Sequence, residues 1–311
     1  MSLRTLVVPK ENIPHLALFM EDIERVWTSR GGGPGIADAL LEKLKSDSST
    51  FQILEIWEGE EPLGLAWVET ITEHYGNMVL HALREDIRVP LAEALVEKGW
   101  LKMVFSELVQ FDDTSDYYDT FVRLGLHENT RQRMSLDLSV YEPVTTYPKH
   151  TQQDMAFVPM TLEHKLISSE ISYLAHQVSR DYAGYPDLEN LDRRIGLEQM
   201  VYDNVYGPIV PEASLFLSYQ DYAVGSCMVI ELPCWGYERV PWIFDMCIHP
   251  HYHGQGFGRC LLQESLRILK EQGFPVVGLA VTLSNTSAIA LYESLGFALA
   301  DYFSEFAELS S

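Results

Sequence analysis

Three adjoining segments decide the reading of this chain: PWIFDMCIHP (241–250), HYHGQGFGR (251–259) and CLLQESLRILK (260–270). The first is rich in aromatic and β-branched residues, as strands are, and it stops at a proline. The third repeats apolar residues at helical spacing, Leu261, Leu262, Leu266 and Leu269. Between them Gly254, Gly256 and Gly258 alternate just before the helix begins. Glycine accepts turn geometries closed to other residues and leaves backbone N–H groups unobstructed. A helix N-terminus adds unpaired donors and partial positive charge. Together these predict an anion cradle suited to a pyrophosphate. The turn follows a late strand of its domain, so it is no dinucleotide fingerprint, and without Gly-Lys-Ser/Thr it is no Walker loop.

Working outward, residues 162–179 read as a helix, 213–220 and 223–232 as a hairpin turning at Gln220–Tyr222, and 274–283 as a strand buried on both faces. Residues 287–295 read as a short helix and FALADYFSEF as a closing strand. The first half repeats this order more faintly, with EKGW (97–100) echoing EQGF (271–274) and RLGL (123–126) echoing SLGF (294–297). A period near 170 residues implies a duplicated domain rather than a solenoid. SVYEPVTTYPKHTQQDM (139–155) has two prolines and no apolar periodicity, which suits a linker. The predicted class is α/β (α+β): domains 1–140 and 155–311 joined by a linker at 141–154, each a mixed, mostly antiparallel twisted sheet flanked by helices.

The 311 residues carry 45 acidic and 22 basic side chains, a formal charge of −23. Residues 1–150 hold 25 acidic and 14 basic groups and the rest hold 20 and 8, so the nets are −11 and −12 and neither half is an acidic tail. With 47% apolar residues the composition is globular. The charge argues against nucleic acid and anionic membrane surfaces as partners. No signal peptide or membrane-length apolar run is read, and the four cysteines fit reduced thiols in a cytoplasmic protein.

The glycine segment resembles the GNAT superfamily of acyl-CoA-dependent N-acyltransferases. The family's mark is Arg/Gln-x-x-Gly-x-Gly/Ala after the fourth strand. Here it stands as His253-Gly254-Gln255-Gly256-Phe257-Gly258, with histidine in first place. The family's second signature is also present as NTSAIALYESLGF (285–297). The resemblance implies two tandem GNAT-like domains and acetyl-CoA as cosubstrate, held between the fourth and fifth strands. Backbone groups of Met246, Cys247 and Ile248 would pair with the pantetheine arm. Residues 254–259, from Gly254 to Arg259, would hold the pyrophosphate, and Asn285 and Ala288 would border the cofactor. Tyr292 matches the family's general acid, because a phenol keeps its proton at neutral pH.

Simple alternation along 241–249 puts Phe244, Met246 and Ile248 on one face and Ile243, Asp245, Cys247 and His249 on the other. Asp245 is therefore the candidate base, or a carboxylate that holds the acceptor ammonium. His249, His251 and His253 alternate, but a structural or phosphate-facing role is favoured over a metal site. Asp181, Asp187, Glu189 and Asp192, with Tyr182, Tyr185, Tyr202, Tyr206, Trp235 and Tyr237, would suit a cationic amine.

The first half has HALREDIRVPLAEAL where the cradle should be, and Phe121 where Tyr292 should be. It is expected not to bind CoA productively. The expected activity is N-acetyl transfer to a primary amine of a small acceptor by direct attack in a ternary complex, in a monomer or homodimer. A cysteinyl sugar amine is one acceptor reading. A non-catalytic acyl-CoA-binding module is the alternative, and a histidine-held metal a third.

Overall fold

The computed structural model describes residues 2–30, 34–45, 50–72, 75–101, 104–110, 115–143, 154–179, 185 and 188–308. In chain order the elements are β1 (Leu3–Val8), α1 (Leu16–Ser29), α2 (Ile36–Lys45), β2 (Thr50–Glu58), β3 (Glu61–Thr72), β4 (Tyr75–Ala82), α3 (Arg88–Glu97), β5 (Val104–Gln110), α4 (Ser115–Arg123) and β6 (His127–Asp137). They continue with β7 (Met155–Pro159), α5 (Lys165–Ser179), α6 (Leu191–Tyr202), β8 (Leu215–Tyr219), β9 (Tyr222–Cys234), β10 (Tyr237–Ile248), α7 (Phe257–Glu271), β11 (Val276–Thr282), α8 (Thr286–Ser294) and β12 (Ala298–Ala307). The order βααβββαβα thus runs twice, from β1 to α4 and from β7 to α8. In both runs the ladders are antiparallel except one, β4 with β5 and β10 with β11.

The chain forms two compact units, Met1–Asn129 with Phe303–Ser311, and Thr130–Tyr302. This division departs from the boundary expected at 141–154, which falls inside the second unit; residues 144–153 lie outside the described residues. The cause is strand pairing. The sequence assigns residues 131–138 to the first half, yet β6 pairs with β11 from Arg131↔Thr282 to Asp137↔Val276. The first unit instead takes the end of β12, where Phe306 pairs with Phe105 of β5.

Each unit buries both faces of its strands. In the first unit Leu54, Ala66, Val68 and Leu80 pack with Leu91 of α3 and Phe121 of α4. On the opposite face Ile53, Trp67 and Val79 pack with Phe19 and Ile23 of α1 and Leu40 of α2. In the second unit Val229, Ile243, Val277 and Leu279 meet Leu261, Leu262 and Leu266 of α7. Its other face joins Met228, Ile230 and Cys247 to Ile171 of α5 and Val201 of α6. Each buried Val, Leu, Ile, Phe or Met side chain among these contributes about 1.5–3 kcal/mol by leaving water. The β8–β9 hairpin turns where the sequence places it, with Gln220 and Asp221 both left-handed (φ 50° and 64°). That is the geometry whose twist matches the flanking strands.

Strand β10 does not keep simple alternation. Against β9, Ile243 pairs with Val229 and Asp245 with Met228, so Phe244 is an extra residue, a β-bulge. The bulge corrects the expected faces. Ile243 packs with Met246 and Ile248 on the α7 side, while Phe244 packs with Cys247 on the α5–α6 side. Asp245 still points away from α7, onto Ser172 of α5 and Arg194 of α6.

Candidate active site

The parallel ladder between β10 and β11 spans only Trp242↔Gly278 and Ile243↔Leu279. It ends where the bulge begins, and residues 244–248 and 280–282 continue past it. In the first unit the corresponding strands stay paired from Tyr75↔Val104 to Leu80↔Gln110. The second unit therefore offers unpaired strand edge on Met246, Cys247 and Ile248, where an extended chain could add as a short strand.

A cavity of about 450 Å³ occupies this opening, within the size range of small-molecule sites. Met246, Cys247 and Ile248 form the strand wall. His253, Gly254, Gly256, Phe257, Gly258 and Arg259 form the end wall, Asn285, Ser287, Ala288 and Leu291 a third, and Ala175, His176 and Ser179 of α5 a fourth. The structure thus brings together the cofactor residues expected from sequence, apart from the Gln255 side chain.

The local chemistry explains the cradle. Gly254 (φ 73°) and Gly256 (φ 88°) take left-handed backbone, and Gly256 is the N-cap of α7. This turns the chain sharply from a 3-10 turn at Pro250–Tyr252 into the helix, with the first helical N–H groups left over. Phe257 is 1% exposed and its ring packs on Tyr219 and Tyr252, which anchors the turn. Arg259 lines the cavity and donates to Ser294 Oγ at 2.6 Å. Asn285 caps α8, accepting from the Ala288 N–H at 3.2 Å.

Several of the expected side chains have partners of their own in the fold. His253 Nε2 is 2.7 Å from the Ile248 carbonyl, a contact that ties the loop to the strand end. Gln255 donates to the His251 carbonyl, so only its backbone is left to serve the cradle. His249 Nδ1 accepts from the His251 N–H, capping the short turn. Tyr292 is 8% exposed in the α7-side core, its ring 5.8 Å from that of Phe297, one position past the cavity-lining Leu291.

Asp245 sits behind the strand wall in a charged cluster. It accepts from Arg194 Nη2 at 2.5 Å, from Ser172 Oγ at 2.8 Å and from Cys247 Sγ at 3.1 Å. Burial alone would raise its pKa, but the Arg194 guanidinium, His176 and these hydrogen bonds bring it down to about 2. Burial pushes the Cys247 thiol well above its ordinary value, and the Asp245 charge adds to that. Glu198, fully buried, accepts from Ser168 and Ser169, and burial raises its pKa against the pull of Arg194. One guanidinium therefore stands between a carboxylate and a carboxyl with diverging proton affinities.

Sequence reasoning missed α6, and with it Arg194 and Glu198. It also passed over His176, whose only sequence signal is its helical register with Ser172. Among the described residues His176, Asp245 and Cys247 place ligating atoms within 4.8 Å of one another. The Arg194 guanidinium on Asp245 opposes a cation there. Of the groups expected near the acceptor, Asp181, Tyr182 and Asp187 lie outside the described residues. Glu189 pairs with Arg193 at 2.7 Å, Asp192 is exposed on the first turn of α6, and Tyr202 donates to the Thr161 carbonyl. Tyr206 packs on Phe244 and Trp235 on Trp242, Tyr185 lies near Arg131, and Tyr237 is exposed.

A bulged strand thus parts from its parallel neighbour over a glycine cradle, leaving a cleft between them. Residues 184–297 match the family described as "Acetyltransferase (GNAT) family". The second unit is thus a GNAT-family acetyltransferase domain, and the chain is an acyltransferase. A mycothiol acetyltransferase of Renibacterium salmoninarum is 23% identical over 281 residues, 86% of this chain and 80% of that protein. The ribosomal protein bS18 alanine N-acetyltransferase of Escherichia coli K12 is 46% identical over 55 residues, 18% of this chain and 37% of that enzyme. Among solved structures, a GCN5-related N-acetyltransferase from Sphaerobacter thermophilus superposes with TM-score 0.59 at 16% identity, covering 99% of this chain and 96% of its own. A tandem GNAT protein from the clavulanic acid biosynthesis pathway superposes at 0.53 with 14% identity, covering 100% and 99%. These two share the fold over the whole length.

Proposed function

We propose that the second unit moves an acetyl group from acetyl-CoA to a primary amine of a small acceptor, by direct attack within a ternary complex. The parted β10–β11 edge ending on the Gly254–Arg259 cradle carries this reading. The residues fit the donor substrate: backbone edge for an amide-bearing arm, helix N–H groups and Arg259 for phosphates, and Asn285 with Ala288 on the far wall. The cradle acts locally, in a chain whose net charge of −23 repels anions at range. The same charge favours a cationic amine. The full-length likeness to a mycothiol acetyltransferase adds a cysteinyl sugar amine as an acceptor to test.

In this reading the first unit does not hold acetyl-CoA. Where the second unit has its cradle, the first has Glu85 and Asp86 at a 3-10 turn, with Arg84 committed to Asp86 at 2.8 Å and Glu58 at 3.1 Å. Phosphate would meet acid there, and the β4–β5 edge is closed.

Replacing Gly256 with valine puts a β-branched side chain into left-handed backbone at the helix start. Calorimetric titration with acetyl-CoA is expected to show at least about tenfold weaker binding, about 1.4 kcal/mol. An unchanged Kd would remove the cradle from the reading.

Tyr292 is assigned the acid that protonates the departing thiolate. Tyr292→Phe is expected to lower kcat about a hundredfold, the low end for general acid catalysis. The acetyl-CoA Kd is expected to stay constant. Full turnover in that variant would strip Tyr292 of the role.

A further inference from the structure

We propose that His176 is the general base, its Nε2 taking the proton from the acceptor ammonium before attack. The inference rests on the acetyl-transfer reading above and names a residue on α5, away from both GNAT motifs. His176 lines the cavity beside Cys247, at the strand wall next to the bulge. Its Nδ1 is 2.8 Å from the Ser172 carbonyl, an acceptor that requires a proton on Nδ1. The neutral ring therefore carries its lone pair on Nε2. This is the logic of hydrolase triads, in which a fixed Nδ1–H sets the tautomer and a nearby carboxylate stabilises the imidazolium. Here a backbone carbonyl fixes the ring and Asp245 supplies the charge.

The other groups facing this spot are unsuited to the task. Asp245 already bears Arg194 and Ser172 on one oxygen and Cys247 on the other. A carboxylate so bound holds its charge rather than collecting protons. Cys247 keeps its proton through burial. Arg194 and Glu198 of α6 sit behind Ser172 and Asp245, and His253 is tied to the Ile248 carbonyl. Arg259 lines the same cavity as a permanent cation.

The proton balance closes. The ammonium gives one proton to His176 Nε2, which releases it to solvent. The freed nitrogen pair forms the C–N bond, and the C–S bond breaks with its pair on sulfur. The second nitrogen proton replaces the one that Tyr292 delivers to the thiolate.

The test uses the full chain, acetyl-CoA, and the best acceptor among spermidine and short glycine- or alanine-leading peptides, read as thiol release. His176→Ala is expected to lower kcat about a hundredfold with an unchanged acetyl-CoA Kd. Added imidazole should restore part of the rate. His176→Gln, which keeps volume but no base, should be equally slow. Parent-like turnover in either variant overturns the proposal. So does a slow His176→Ala with no imidazole response, which would mark a structural role. Failure of the transferase reading looks different: acetyl-CoA binds, but the parent chain releases no thiol with any amine.

Discussion

Arg194→Met is expected to destabilise the second unit by about 3–5 kcal/mol, the usual cost of breaking a buried ion pair from one side. Arg194 is 2% exposed, and its loss leaves Asp245 and Glu198 together without a cation. Asp245 then loses what holds its pKa near 2, so its charge becomes a buried liability rather than half of a pair. A folded pKa below the ordinary 3.8 gives stability that is present above pH 4 and lost as pH falls toward 2. The variant should lack that acid-side loss. Hydrogen exchange at the β10 and α6 amides reads the local opening free energy directly. Adding Asp245→Asn to Arg194→Met should recover part of the loss, because the stranded charge is gone. Protection in Arg194→Met equal to the parent's would show that the pair contributes nothing.

The cluster also shows why part of this site is hidden from sequence. The glycine alternation is legible as a sharp turn into an apolar-periodic helix, and it takes on meaning as a cradle, with Asn285, only when the second signature at 285–297 stands beside it. Helix α6 is not legible because its inward face carries Arg194 and Glu198, both buried, so apolar periodicity is absent. His176 shows no pattern until α5, α6 and β10 are brought together. The exchange of closing strands is equally silent. Residues 131–138 have the same alternation whichever sheet they join, and register with β11 is a property of two segments about 145 positions apart. The bulge at Phe244 inserts no turn residue, so simple alternation gives the right face for Asp245 and the wrong one for Phe244. For α6 and for Phe244 the local pattern fails because of buried charge and an irregular backbone beside the cleft.

The second large effect lies in the first unit. Glu55 of β2 is fully buried, and its Oε2 accepts from Trp57 Nε1–H, two residues along the same face, at 2.9 Å. Burial raises its pKa from 4.5 to about 7, with the Trp57 bond pulling the other way. An acid whose pKa rises on folding binds its proton more tightly in the folded state. Its stability contribution is therefore fully present below pH 4.5 and is lost as pH climbs through about 7. A difference of that size amounts to about 3 kcal/mol. Glu55→Gln keeps an oxygen for the indole N–H and removes the ionisation. At pH 4, below the ordinary value of 4.5, variant and parent should unfold at the same urea concentration. At pH 9 the variant should be more stable by about 3 kcal/mol. A difference that stays constant across this range would mean that Glu55 does not titrate there. Because the site residues belong to the second unit, acetyl-CoA binding should be the same in both proteins at either pH.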